Sequence, residues 1–261
     1  MAKVFVFDFK HCNGCFNCQI ACKDEHCEQA WLPYADKQPL TGQFWCKVDQ
    51  TVRGQVPWVK VAYEAVLCGH CEDAPCLAAA GDAAYRTDDG FIIIDPAKSK
   101  GMKELVDSCP LGAIYFNEKL NIPQKCTGCA HLLENGWDEP RCVDACMTGG
   151  LCFYEESEVD LSAAEVAPAL AGLGSKVYYL NRPKRFIAGT VVDFDADEVV
   201  IGAAVELKDA AGAVVASLAT DDFGDFMFDQ IDPGAYKVAV GGNELAADVT
   251  EKDLSLGDVA A

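Results

Sequence analysis

No stretch of this 261-residue chain is apolar enough, over enough length, to cross a bilayer. It also lacks positive charge. Its 21 Lys and Arg stand against 41 Asp and Glu, a formal charge of −20. Nucleic-acid binding needs a basic surface, so that class is excluded. There is no P-loop, no G-x-G-x-x-G and no Ser/His/Asp set, and Gly149-Gly150 reads as a turn rather than a phosphate cradle. Nothing suggests a substrate site within the chain. The opening residues 1–9 hold one lysine and no long apolar core, so no signal peptide is read there and a cytoplasmic location is expected.

Against these absences stand fifteen cysteines, all between Cys12 and Cys152. Disulfide frameworks suit short secreted scaffolds, and this chain is longer. Zinc takes four-ligand sets built from CxxC halves, which leaves triplet-plus-one runs unexplained. Cys12, Cys15, Cys18 and Cys22 follow C-x2-C-x2-C-x3-C, the spacing by which bacterial ferredoxins hold 4Fe–4S clusters. Three thiolates in so tight a loop face one cubane, and Gly14 relieves crowding there. The fourth lies round the next helical turn and ligates a neighbouring cluster. One motif therefore predicts a partner. Cys126, Cys129, Cys142 and Cys146 supply it as C-x2-C-x12-C-x3-C.

A second pair is present in part. Cys68, Cys71 and Cys76 give C-x2-C-x4-C, and Cys109-Pro110 closes a further motif. Its other ligand positions hold Ala80, Ser99, Met102 and Leu105, so one site is erased. Three complete quartets remain: Cys12, Cys15, Cys18 with Cys146; Cys22 with Cys126, Cys129, Cys142; and Cys68, Cys71, Cys76 with Cys109. The expectation is three 4Fe–4S clusters, about 12 iron per chain. Met102 and Leu105 are expected to plug the erased site as core. The third cluster is expected to stand apart from the other two. Cys27, Cys46 and Cys152 are left as small buried hydrophobes or bystanders rather than ligands, and of His11, His26, His70 and His131 none is singled out, although a histidine near a cluster can tune it.

Residues 3–9, 59–63 and 90–95 read as strands around the cluster loops, and 23–58 as an irregular insertion that packs against something, a partner subunit being one candidate. A ferredoxin-like α+β domain is expected over 1–182, its stretch 155–182 being a connector in which Ser162 caps a short helix limited by Pro168. From 183 to 261 the pattern changes to short alternating runs at 188–194, 203–208, 214–219, 225–228, 236–240 and 244–250. Turns such as Asp232-Pro233-Gly234 divide them, which suggests an all-β sandwich.

With that cysteine order in hand, the chain resembles the iron–sulfur subunits of the dimethyl sulfoxide reductase family. Within it, the nearer resemblance is to the small subunits of pyrogallol–phloroglucinol transhydroxylases. It is carried by Cys22-Lys23-Asp24-Glu25-His26, by Cys68 through Cys76 with no cysteine at 80, by Lys125 through Leu133, and by Thr220 through Phe226 in the β-domain. The resemblance implies a transthyretin-like or Cna-B-like sandwich at the C-terminus and a heterodimer with a large bis-MGD molybdopterin subunit that holds the active site. This chain would then be its non-catalytic electron-transfer subunit, acting with it on polyphenols. The alternatives are the same role in a catechol dehydroxylase or other molybdopterin reductase, and a free-standing polyferredoxin.

Overall fold

The computed structural model describes residues 3–261. The chain forms two compact units, one running through Gln50 and from Tyr63 to Arg182, the other comprising Thr51–Ala62 and Pro183–Ala261.

The first unit is built around β1 (Lys3–Asp8), whose inner residues Val4 to Phe7 are all buried. Four consecutive apolar residues suit a strand covered on both faces. It leads through the first cysteine loop into α1 (Asn17–His26). A long hairpin follows, β2 (Cys46–Gln55) and β3 (Trp58–Leu67). Then come α2 (Pro75–Ala80), the pair β4 (Ala84–Arg86) and β5 (Ile92–Ile94), and the pair β6 (Tyr115–Asn117) and β7 (Ile122–Gln124). Two short helices, α3 (Ala130–Glu134) and α4 (Arg141–Asp144), precede β8 (Leu151–Glu155) and β9 (Val177–Leu180). β8 pairs antiparallel and β9 parallel with β1. The core joins Phe5, Phe7, Phe91, Leu67 and Tyr179 to the buried cysteines.

The expected insertion is narrower than 23–58. α1 continues to His26, and Cys46 already opens β2. The stretch between is tied to its own unit: Trp31 Nε1 donates to Glu25 O at 2.9 Å, and Gln124 Nε2 to Asp36 O at 2.8 Å. The helix expected from Ser162 does not form. Only a 3-10 turn at Pro168–Leu170 appears, because proline has no N–H to give the preceding turn and fixes its own φ. β9 was hidden in that connector.

The second unit's main body is two four-stranded sheets. One joins β10 (Arg185–Asp193), β11 (Glu198–Val199), β14 (Asp225–Ile231) and β17 (Leu254–Ala260). The other runs β13-β12-β15-β16, with β12 at Ala204–Lys208, β13 at Val214–Ala219, β15 at Ala235–Val240 and β16 at Asn243–Asp248. Val191, Phe226 and Val259 of the first sheet share a core with Val205, Leu207 and Val238 of the second. That is a β-sandwich. β17 was not foreseen, since Gly257 and Asp258 weaken its strand signal.

Candidate metal centre

Two loops of the same design present most of the cysteines. In each, a glycine with positive φ (Gly14 at +72°, Gly128 at +66°) precedes a left-handed residue that starts a helix, Phe16 at 62° and Cys129 at 52°. Neither glycine can carry a side chain. A Cβ on Gly14 would meet the Tyr63 ring at 2.5 Å, and one on Gly128 would meet Phe91 at 2.6 Å. α1 then carries Cys18 and Cys22 four residues apart, one turn along one face. α4 carries Cys142, and Cys146 follows one turn on. α1 packs against α4. This packing brings Cys146 to the first loop and Cys22 to the second.

The electrostatics of the thiols report the groupings. Burial raises the Cys12 pKa first, and charge on Cys18, Cys146 and Cys15 adds to it. Burial raises Cys22 well above the usual range, followed by Cys142, Cys126 and Cys129. Cys71 is pushed up to about 11 by burial first, with Cys68, Cys109 and Cys76 contributing. The twelve cysteines singled out in the sequence are thus gathered as three groups of four. Cys15 is exposed, while Cys22, Cys126, Cys129 and Cys142 are all buried.

Each group also has main-chain N–H groups on its sulfurs. Leu151 donates to Cys146 Sγ at 3.2 Å, Gly128 to Cys126 Sγ at 3.4 Å and Ala113 to Cys109 Sγ at 3.5 Å. Donors aimed at sulfur favour the thiolate, the form that ligates metal. Four buried thiolates without a cation would repel one another, and an iron–sulfur core removes that conflict. Among the described residues, no three His, Cys, Asp or Glu side chains converge as the ligands of a single ion would. Cubane ligands each hold a different iron, so their sulfurs stand further apart than the roughly 3.8 Å expected for tetrahedral thiolates about 2.3 Å from one zinc. The donor sets fit clusters.

The erased site is filled. Ala80, Ser99 and Leu105 are buried, and Met102 packs partly buried against the core. The Ser99 hydroxyl has no partner among the described residues. Cys126 is pushed up to about 12 by burial and then by charge on Cys68, which outweighs Cys142 of its own group. Charge on Cys68 of the third group therefore reaches Cys126 of the second.

Two of the cysteines set aside are bystanders: Cys27 donates to Pro39 O at 3.9 Å and Cys152 to Gly149 O at 3.2 Å. Cys46 is different. It is 1% exposed, and hydrogen bonding to Cys142 and Cys18 together with burial raises its pKa well above the usual thiol range. It is a free thiol lodged between the first and second groups. No motif marks it, because its position is set by the start of β2. His26, His70 and His131 are buried, and His11 is exposed. His26 Nε2 lies 3.9 Å from Cys129 Sγ, and His131 Nε2 lies 3.0 Å from Glu25 Oε1. Among the described residues no helix is long and apolar enough to cross a membrane.

The 4Fe-4S dicluster domain family matches residues 59–156, and the carboxypeptidase regulatory-like domain family matches residues 187–260. The small subunit of pyrogallol hydroxytransferase from Pelobacter acidigallici is 39% identical, over 90% of this chain and 89% of that subunit. A subunit of the anaerobic dimethyl sulfoxide reductase of Escherichia coli is 30% identical, over 63% of this chain and 81% of that one. A putative dimethyl sulfoxide reductase iron-sulfur subunit of Halobacterium salinarum is 28% identical, over 67% of this chain and 78% of that one.

Proposed function

Since the chain belongs to the dimethyl sulfoxide reductase family of iron–sulfur subunits, with the small subunit of pyrogallol hydroxytransferase as a relative along most of its length, we propose that it serves a large bis-MGD molybdopterin subunit acting on polyphenols. It holds three 4Fe–4S clusters through the twelve cysteines grouped above. The observation that carries the cluster count is the gathering of those twelve as three quartets, with main-chain donors on their sulfurs. When bound, each cluster supplies a one-electron carrier. The chain's own part is to bury it, to aim amides at its sulfurs and to space it from the next. Residues 1–182 are read as the cluster domain. Residues 183–261 are read as a transthyretin-like or Cna-B-like module with no ligand role.

Moving a hydroxyl between two phenols needs no net electrons, whereas removing one reductively needs two. The electrostatic reach of Cys68 to Cys126 suits steady current between their groups as well as the transfer reaction. The 39% identity to a hydroxytransferase subunit favours the transfer reaction. Co-expression with a large bis-MGD molybdopterin subunit, sought in the adjacent coding region, tests the reading. The expected product is a stable complex that converts pyrogallol without an added reductant. Turnover only with a reductant would assign it to the reductases, and failure to form a complex would leave a free polyferredoxin.

A further inference from the structure

His70 lies between Cys68 and Cys71 in the loop of the third quartet, with a positive φ of 43° that non-glycine residues seldom adopt. Its side chain is fully buried. Nδ1 accepts a hydrogen bond from the Ile92 main-chain N–H at 3.0 Å. A main-chain amide can only donate, so Nδ1 carries no proton, and the single proton of the neutral ring sits on Nε2.

That Nε2–H has no acceptor among the described residues and is shut off from water. Leaving a buried donor unmade costs about 1–3 kcal/mol. The surroundings offer no relief. Phe91 lies with its ring centroid 5.0 Å from that of His70, at an interplanar angle of 70°. Arg86 donates to His70 O at 3.3 Å, and Lys125 donates to Ile92 O and Cys126 O. Both cations are donors themselves. The residues that flank His70 in this loop include Cys68 and Cys71 of the third quartet.

We propose that His70 Nε2–H donates a hydrogen bond to a sulfur of the cluster held by Cys68, Cys71, Cys76 and Cys109, and thereby raises that cluster's reduction potential. The inference rests on the reading that these four cysteines hold a 4Fe–4S cluster. A donor on cluster sulfur stabilises the reduced form, which carries the extra negative charge, more than the oxidised form. His70 is a tuning residue and moves no proton.

The test uses the full chain purified anaerobically. Iron and sulfide near 12 per chain check the cluster reading first, so its failure is separate from failure of the inference. EPR-monitored redox titration then follows each cluster, the third being identified as the signal lost in Cys109→Ala. In His70→Leu with full iron content, the third cluster is expected to become harder to reduce. Its reduced-to-oxidised ratio at the wild-type midpoint should fall about tenfold, which is about 59 mV for one electron. His70→Gln keeps an N–H near the Nε2 position and should recover most of that loss. Unchanged potentials, a shift confined to another cluster, or equal shifts in Leu and Gln would each overturn the proposal. Should His70→Leu fail to assemble, wild-type chain labelled with ¹⁵N-histidine decides it. Nitrogen coupling on the third cluster's reduced EPR signal is expected, lost in His70→Gln, and its absence from the wild type overturns the assignment.

Discussion

Cys68 lies within electrostatic reach of Cys126, although the two belong to different quartets. Two paramagnetic centres held by such close loops interact when both are reduced. We therefore expect the fully reduced protein to show an EPR spectrum broadened beyond the sum of isolated clusters. Removing the third cluster by Cys109→Ala should simplify the signal of the second. A spectrum that is already the plain sum of three isolated centres would mean that the third cluster stands apart after all.

The crossover between α1 and α4 makes a distinct prediction. Cys146 follows the helix that carries Cys142, yet its charge acts on Cys12. Cys146→Ala should therefore cost the cluster of Cys12, Cys15 and Cys18, whose sequence is remote. Iron should fall by about a third, from about 12 to about 8 per chain. Mössbauer or EPR spectra should retain the second and third clusters. Selective loss of the cluster of Cys126, Cys129 and Cys142 would reverse the assignment.

Leu105 stands where a four-cluster chain has a ligand, and it is fully buried against the core beside the α2 turn that ends in Ala80. Leu105→Ala removes apolar volume that its neighbours can only partly refill. A loss of about 2–5 kcal/mol is expected in denaturant unfolding, with iron content unchanged. If iron fell in step with stability under native conditions, the residue would be supporting a cluster rather than plugging an empty site.

The quartets were legible because ferredoxin spacing is dictated by the cubane itself: thiolates three residues apart in a tight loop leave few other uses. β1 and β13 were equally plain, since apolar runs and turn residues bounded them. Other features were hidden for physical reasons. Cys46 acquires its place between quartets only when β2 is folded, so no local pattern announces it. The electrostatic reach of Cys68 to Cys126 depends on loops brought together in three dimensions, which no spacing along the chain announces. His70 is an ordinary letter between two cysteines in the sequence. Its unpaired N–H exists only because Ile92 occupies the other ring nitrogen. Ser162 illustrates the opposite error, where a good capping residue was credited with a helix that Pro168 prevents.

The second unit is expected to outlast the first when iron is removed. Its core is purely apolar and holds no cysteine. The first unit's core instead includes Cys22, Cys68, Cys71, Cys76, Cys126 and Cys142, so stripping the metal removes folding energy from that unit alone. The tip of the β2–β3 hairpin belongs with the second unit. There Arg53 donates to Asp253 at 3.2 Å, Asp253 also accepts the Phe186 N–H at 3.0 Å, and a Cβ on Gly54 would meet Phe186 at 2.5 Å. The Asp253 side chain is only 2% exposed, so losing its arginine leaves a carboxylate buried with one partner fewer. Limited proteolysis of chelator-treated protein should therefore digest most of the chain and leave a resistant fragment starting near residue 183, with β-type far-UV dichroism. Because that fragment lacks Arg53, it should be less stable to denaturant than the same unit in the intact chain, by about 3–5 kcal/mol. Arg53→Ala in the intact, iron-loaded protein should reproduce much of that loss without changing iron content. Complete digestion after chelation would show that the second unit depends on the first for its fold, and an unaltered midpoint in Arg53→Ala would show that the buried pair contributes little.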